Sequence, residues 1–233
     1  MTRAPIPLLL TRPGAQNDRL WAALSADCRA QLTPVATPLM QIVPLDPPAG
    51  LGDVGDVIFT SAAAVDLAPQ GAGRRAFCVG MATTQAAREA GWQAQMAGAT
   101  AETLIARLIA AQPQALTHLR GTHSRGDVAR RLTAAGHVLR EMVLYDQRLL
   151  PLSTAARAAL DGPIPAIVPL FSPRMAAHFA AQTPAGSGQI AALSPAVAQA
   201  LGPLNRGVMV AATPDLPAMA LLIEKIMRRS VAG

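Results

Sequence analysis

The chain has 233 residues, 51% hydrophobic and 15% charged, which is enough apolar material for one large α/β domain or two small ones and excludes a mainly disordered chain. Twenty Lys and Arg against fourteen Asp and Glu leave a net charge of +6, and the sequence pI is near 10.9, so the surface attracts anions. Aromatic residues make up only 3%, and no Lys-rich tail or aromatic-basic interleaving is present, which argues against nucleic acid as the partner. A polyanionic small molecule fits better.

No apolar run approaches the roughly twenty residues of a membrane span. The start, Met1–Leu10, is too short and too broken by Pro5 and Pro7 for a secretory segment, so a cytoplasmic protein with no membrane partner is expected. Short apolar runs then alternate with Ala- and Leu-rich stretches of helical period, the pattern of parallel strands with crossover helices, which predicts an α/β fold. The predicted strands are Pro7–Thr11, Val57–Thr60, Ala76–Gly80, Ala115–Leu119, Ala166–Ser172, Ile190–Leu193 and Gly207–Ala211. Helices are predicted over Gln16–Ser25, Ala82–Ala90, Ala101–Ala111, Arg125–Ala135, Pro173–Ala181, Pro195–Leu201 and Leu216–Arg228.

Two proline-spaced segments break the alternation, Leu32–Leu45 and Val138–Leu152, and they flank the block Val57–Gly136. A chain that leaves one domain, builds a second and returns has this form. The expected organisation is therefore a discontinuous lobe of residues 1–35 and 153–233, a linker ribbon of residues 36–50 and 138–152, and a second lobe of residues 51–137. A weak internal repeat supports two similar lobes. Phe59-Thr60-Ser61, Val79-Gly80-Met81-Ala82-Thr83 and Ala97-Gly98-Ala99-Thr100 recur in order as Phe171-Ser172-Pro173, Ala192-Leu193-Ser194-Pro195 and Ala211-Ala212-Thr213-Pro214, each before a helix.

In open parallel sheets, ligands bind beyond the carboxyl ends of the strands. Thr60, Ser61, Thr83, Thr84, Thr100, Ser172, Ser194 and Thr213 fall at such ends. They are expected either to rim a cleft between lobes and donate to carboxylates or simply to cap their helices. Arg12, Arg120 and Arg125 lie at the same ends and are candidate anion partners, or else solvated surface arginines. Arg130, Arg131, Arg228 and Arg229 lie farther along helices or in a last turn, where the helix dipole explains them. Tyr145, the sole tyrosine, sits in a connector and reads as packing or as an acid.

Other chemistries find little support. Cys28 and Cys78 lack CxxC spacing, and the four histidines form no HExxH or i, i+4 pair, so no metal site is expected. There is no GxxxxGK[ST] and no GxSxG, which disfavours a nucleoside-triphosphate loop and a serine nucleophile, and Val79-Gly80-Met81-Ala82-Thr83 has one glycine where a dinucleotide turn wants three.

Together Leu10-Thr11-Arg12-Pro13, Ile58-Phe59-Thr60-Ser61-Ala62-Ala63-Ala64-Val65, Val79-Gly80-Met81-Ala82-Thr83, Leu119-Arg120-Gly121 with Arg125, Val143-Leu144-Tyr145 and Phe171-Ser172-Pro173 resemble the uroporphyrinogen-III synthase family over nearly the whole chain. The resemblance implies two flavodoxin-like parallel-sheet lobes joined by a two-stranded β-ribbon. It implies cyclisation of hydroxymethylbilane, a linear tetrapyrrole polycarboxylate, to uroporphyrinogen III with inversion of the last ring, loss of water and no cofactor. Tyr145 matches the family's cleft tyrosine and is the candidate for helping the hydroxyl leave. Thr83, Ser61 and Ser172 match carboxylate-binding positions, and Thr60, Arg12 and Arg125 join them as substrate-binding candidates. Ala63, Ser194 and Asp215 depart from the family's frequent Asn, Gly and Thr, and Asp215 would repel a carboxylate. A monomer is expected, since no stretch demands a partner. The competing readings are a non-catalytic two-lobed protein that binds a small anion or regulates, and a flavodoxin-like or nucleotide-dependent enzyme, which would carry a bound cofactor.

Overall fold

The computed structural model describes residues 4–124, 126–183, 188–205 and 207–232. The chain begins with strand β1 (Ile6–Leu10), helices α1 (Gly14–Ala23) and α2 (Ala26–Ala30), and strand β2 (Leu32–Ala36). Strand β3 (Met40–Pro44) leads into β4 (Val57–Phe59), α3 (Ala62–Val65), β5 (Arg75–Val79), α4 (Met81–Glu89), β6 (Gln93–Gly98) and α5 (Ala101–Ile109). Strand β7 (Ala115–Gly121), α6 (Val128–Ala134) and the long β8 (Val138–Leu149) follow. The remainder comprises α7 (Thr154–Leu160), β9 (Ile167–Leu170), α8 (Pro173–Ala180), β10 (Gln189–Ala192), α9 (Pro195–Gln199), the short β11 (Met209–Val210) and α10 (Leu216–Ala232).

These elements form two compact units, Met1–Gln41 with Arg148–Gly233, and Ile42–Gln147. The first holds a sheet in the order β11-β10-β9-β1-β2, with every neighbouring pair parallel. The second sheet runs β3-β8-β7-β4-β5-β6 and is parallel from β8 to β6. At its edge the amide of Leu45 donates to Leu144 at 2.9 Å, and where the same two segments continue in the first unit that of Leu150 donates to Leu39 at 2.9 Å, so the two segments run in opposite senses.

The two parallel arrays share one layout, entered at different points. Strands β9, β10 and β11 are laid down in the same spatial succession as β4, β5 and β6. The pair β1–β2 lies beside β9 as β7–β8 lies beside β4. In the first unit that pair comes first along the chain, and in the second it comes last. The sequence repeat noted above is this shared half, and the strand order reverses next to β1 in one unit and next to β4 in the other.

Both sheets are covered on both faces, which is why their central strands are continuously apolar rather than alternating. Ile6, Leu8 and Leu10 pack into one cluster with Met219, Ile223 and Ile226 of α10, whereas Leu9 faces another with Phe179 and Val168. Val57 and Phe59 likewise turn from Ile58, and the Phe59 ring meets Trp92 edge to face with centroids 5.4 Å apart.

Four elements differ from the sequence expectation. Leu32–Leu45, read as one extended segment, is two strands, and β2 accommodates Pro34 because it lies at a sheet edge. Strand β6 (QAQMAG) is absent from the expectation because an edge strand of Gln, Ala and Gly carries little β-branched signal. Helices α2 and α7 are too short to show a clear helical period, although Ser25 and Ser153 cap them.

Candidate functional site

Where the strand order of a parallel sheet reverses, neighbouring loops leave in opposite directions and open a crevice at the carboxyl ends. In the first unit that point lies between β1 and β9, which are in register at Leu8 and Ile167 alone. Pro169 has no N–H for the ladder, and its carbonyl is taken instead by the hydroxyl of fully buried Thr11, at 2.7 Å. The next residue, Arg12, is held by its backbone. Its amide donates to Asn17 Oδ1 at 3.0 Å, and Asn17 Nδ2 donates to the carbonyls of Arg12 at 2.5 Å and Leu10 at 3.2 Å.

The Arg12 guanidinium lies 4.4 Å from the Phe171 ring centroid, a cation–π contact across the switch point. Burial, and secondarily the charge of Arg19, lower its pKa, and no carboxylate pairs with it among the described residues. A half-buried cation without a counter-ion keeps its charge uncommitted within the protein. Ser172, next to Phe171, caps α8 by accepting from the Met175 amide at 3.2 Å. Capping uses an oxygen lone pair, so the hydroxyl proton stays available to an acceptor outside the helix.

The equivalent point of the second unit lies between β4 and β7. Ser61 there caps α3, accepting from the Ala63 amide at 3.3 Å, as Ser172 does in its own unit. Thr60 occupies the place of Phe171, and its Oγ1 lies 3.3 Å from Nε2 of His118. His118 is fully buried, and its Nδ1 lies 3.5 Å from Glu141 Oε1. Arg120 Nε reaches the same carboxylate oxygen at 2.7 Å, while its Nη1 donates to the carbonyls of Gly121 and Thr122 at 2.9 and 3.2 Å. Of the two readings of Arg120, neither a free anion receptor nor a solvated cation describes it: its charge is spent inside the protein.

Tyr145 stands opposite Gly121 on β8, with only 2% of its surface exposed. A Cβ on Gly121 would lie 2.4 Å from the ring, so the glycine makes room for the tyrosine. The carbonyl of Tyr145 accepts from the amide and hydroxyl of Thr122 at 2.9 and 3.2 Å. The buried polar side-chain atoms left without a partner among the described residues are Trp92 Nε1 and His118 Nδ1, and the tyrosine hydroxyl is not one of them.

Thr83 lies in the first turn of α4 with 6% of its surface exposed. That helix starts at Gly80, at φ +76°, with no side chain capping its first amides and no heavy atom within 4 Å of where a Cβ would lie. The matching helix of the other unit, α9, is closed by Ser194. Thr84 donates back to the Gly80 carbonyl at 2.9 Å, and Thr100 forms a reciprocal capping box with Thr103. Arg125 lies outside the described residues.

Asp215 has a local role: its carboxylate accepts from the Ala218 amide at 2.8 Å at the start of α10, and this bond, then that from Thr213, lowers its pKa. Its charge is therefore directed at a helix N-terminus. Asn17, His118 and Glu141 are not singled out by the sequence patterns. Asn17 shares a helical stripe with Leu20 and Leu24, where a polar residue among apolar ones is the signal. For His118 and Glu141 no local pattern exists, because the pairing arises only when β7 and β8 align. Cys28 and Cys78 are buried, and burial pushes both thiols up to about 11. No group of three or more His, Cys, Asp or Glu among the described residues is placed to hold a metal ion, and no described helix is long and apolar enough to cross a membrane.

A two-unit α/β protein with a switch point in each parallel sheet is the class these features define. The family model described as uroporphyrinogen-III synthase HemD matches residues 22–220, and the chain belongs to that family. No curated protein matches the sequence. Among solved structures, uroporphyrinogen-III synthetase from Helicobacter pylori superposes with a TM-score of 0.68 at 15% identity, over 95% of this chain and 99% of that one. A methionine-substituted variant of uroporphyrinogen III synthase from Thermus thermophilus gives 0.61 at 14% identity, over 96% and 99%. At these identities the likeness is one of fold.

Proposed function

We propose that this member of the uroporphyrinogen-III synthase family closes hydroxymethylbilane into uroporphyrinogen III, inverting the last ring and releasing water. The family match over residues 22–220 carries the reading, and the ring-stacked Arg12 at a switch point supports a polycarboxylate substrate.

Arg12 and the outward protons of Ser172 and Ser61 bind carboxylates in this reading, with the open first turn of α4 at Gly80 and Thr83 adding backbone donors. Arg125 completes the set of candidates, and Thr60 meets the substrate beside Ser61. Tyr145 hydrogen-bonds the terminal hydroxyl or gives it a proton, so that it leaves as water. The resulting azafulvene is attacked by the substituted carbon of the last pyrrole, and the spiro intermediate fragments and recloses with that ring inverted. Unaided closure gives the uninverted isomer, so the protein's task is chiefly to hold the chain where the inverting attack is the near one. Two flavodoxin-like lobes joined by a ribbon of β3 and β8 belong to the same proposal, supported by the opposed Leu45–Leu144 and Leu39–Leu150 bonds.

Incubation with freshly made hydroxymethylbilane, oxidation to the porphyrin and separation of isomers tests the function. The III isomer is expected in excess over the spontaneous I isomer; isomer I alone, formed at the rate in buffer, overturns it.

A further inference from the structure

The second unit contains a polar chain centred on the buried His118, and beyond Thr60 the proposed reaction uses none of it. It crosses three adjacent strands: Thr60 just past β4, His118 on β7 and Glu141 on β8. In the ladder His118 stands opposite both Ile58 and Glu141. Thr60 is two residues beyond Ile58 and Arg120 two beyond His118, so all four side chains share one face of the sheet. The spacings are 3.3 Å from Thr60 Oγ1 to His118 Nε2, 3.5 Å from His118 Nδ1 to Glu141 Oε1, and 2.7 Å from Glu141 Oε1 to Arg120 Nε.

Proton accounting gives this chain a direction. Glu141 pairs with Arg120 at 2.7 Å, and a carboxylate only accepts. Its Oε1 lies 3.5 Å from His118 Nδ1, and that atom makes no hydrogen bond among the described residues. An Nδ1 lone pair aimed at the carboxylate would be repelled, so Nδ1 carries the proton. The imidazole is neutral, because burial pulls its pKa down to about 4. Nε2 is then a bare lone pair, and the hydrogen bond to Thr60 has one possible sense: the threonine hydroxyl donates inward. What Thr60 shows to the outside, where it is partly exposed, is oxygen lone pairs.

We propose that Glu141 and His118 are positioning residues that lock the Thr60 hydroxyl inward, so that Thr60 accepts a hydrogen bond from a ligand N–H and gives none to a ligand carboxylate. In the substrate proposed above, on which this step rests, the N–H donors are those of the pyrrole rings. Thr60 thus differs from Ser61 beside it, whose oxygen is engaged by the Ala63 amide and whose proton is free for a carboxylate. Adjacent residues at one strand end read opposite polarities, which is a means of orienting a ring whose N–H and acid groups lie on different edges.

Long-range ¹H–¹⁵N correlation on the ligand-free protein reports the His118 tautomer directly. The proton is expected on Nδ1, with Nε2 unprotonated, and Glu141→Gln should erode that preference; a proton on Nε2 in the unmutated protein overturns the proposal. Kinetics test the ligand side, with benzenehexacarboxylate as a competitor that offers carboxylates and no N–H. Thr60→Val should raise KM for hydroxymethylbilane roughly tenfold, as expected when one hydrogen bond is lost and its partner stranded. It should leave kcat and the inhibition constant of the competitor unchanged, and Thr60→Ser should restore KM. A parallel rise in KM and inhibition constant makes Thr60 a carboxylate donor and overturns the proposal, as does an unchanged KM. A wild-type protein that converts no hydroxymethylbilane refutes the proposed function instead, while the nitrogen spectrum still decides which way the proton points.

Discussion

The two units build the same parallel layout and then use its switch point in opposite ways. In the first, the crevice between β1 and β9 presents a cation: Arg12 is propped on Phe171, fixed through its backbone by Asn17, and given no acid among the described residues. In the second, the corresponding cation, Arg120, is consumed by Glu141 and two carbonyls, and a neutral histidine takes the space against Thr60. Serine caps stand at the same place in both, Ser172 and Ser61. What a repeat holds in common is its caps and its layers; what differs is the ionisation of the crevice. The difference teaches that the +6 charge of the chain is not evenly available: an arginine at a strand end keeps its charge uncommitted when its neighbour is a ring and loses it to a pair when its neighbour is a carboxylate.

The largest test of this contrast is acidification. His118 titrates near 6.5 when unfolded and near 4 in the fold, so between those values the unfolded chain binds more protons. The stability owed to keeping the imidazole neutral is complete above pH 6.5 and is lost as pH falls towards 4, on the order of 3 kcal/mol. The difference in unfolding free energy between wild type and His118→Gln should follow that window. Hydrogen exchange should weaken first in β4 and β7, while β1 and β9, which have no such group, stay protected. Equal weakening of both sheets would erase the distinction.

Catalysis comes next. Tyr145→Phe should cut formation of the inverted isomer by about 10²-fold, within the range for a lost proton donor, while leaving the unfolding transition in place. Wild-type turnover removes the tyrosine from the chemistry. Gly121→Ala probes the same contact sterically, since a methyl 2.4 Å from the ring forces the tyrosine to move. A loss of roughly 1–3 kcal/mol is expected, read as a fall in Tm of about 2–4 °C for each kcal/mol.

The caps should behave alike in the two units. Ser172→Ala and Ser61→Ala should each cost about 1 kcal/mol in denaturant unfolding, and a large inequality would mean that the shared layout hides unequal packing. The smallest effect is ionic. Added salt should raise KM through screening, Arg12→Gln should flatten that dependence, and Arg120→Gln should not alter its slope.

Particular residues show how far the sequence could be read. The apolar runs of β1, β4, β7 and β9 are legible because a strand buried on both faces has little polar in it, and the caps Ser61, Thr100, Ser172 and Ser194 are legible because a hydroxyl ahead of a helix has a local partner two or three residues on. Strand β6 is not, since its edge position demands little of its composition. Asp215 reads in sequence as a residue facing a ligand, yet Asp before Leu-Pro is equally an N-cap pattern, and the fold realises the cap. The resemblance carried by Phe59-Thr60-Ser61 and Phe171-Ser172-Pro173 holds at the level of family, and Thr11-Arg12-Pro13 lies before the matched residues 22–220.

By itself, then, the order of residues determined what is local: which segments are strands or helices, where helices start, and that one half of the layout is used twice. Contacts between residues far apart in the chain belonged to the tertiary structure. The meeting of Arg12 with Phe171, of Tyr145 with Gly121, and of Thr60 with His118 and Glu141 depends on which strands lie side by side and in what register. A helical or strand period repeats within a few residues and leaves a mark in composition; a pairing closed across dozens of residues leaves none, and only the folded sheet brings those atoms within reach.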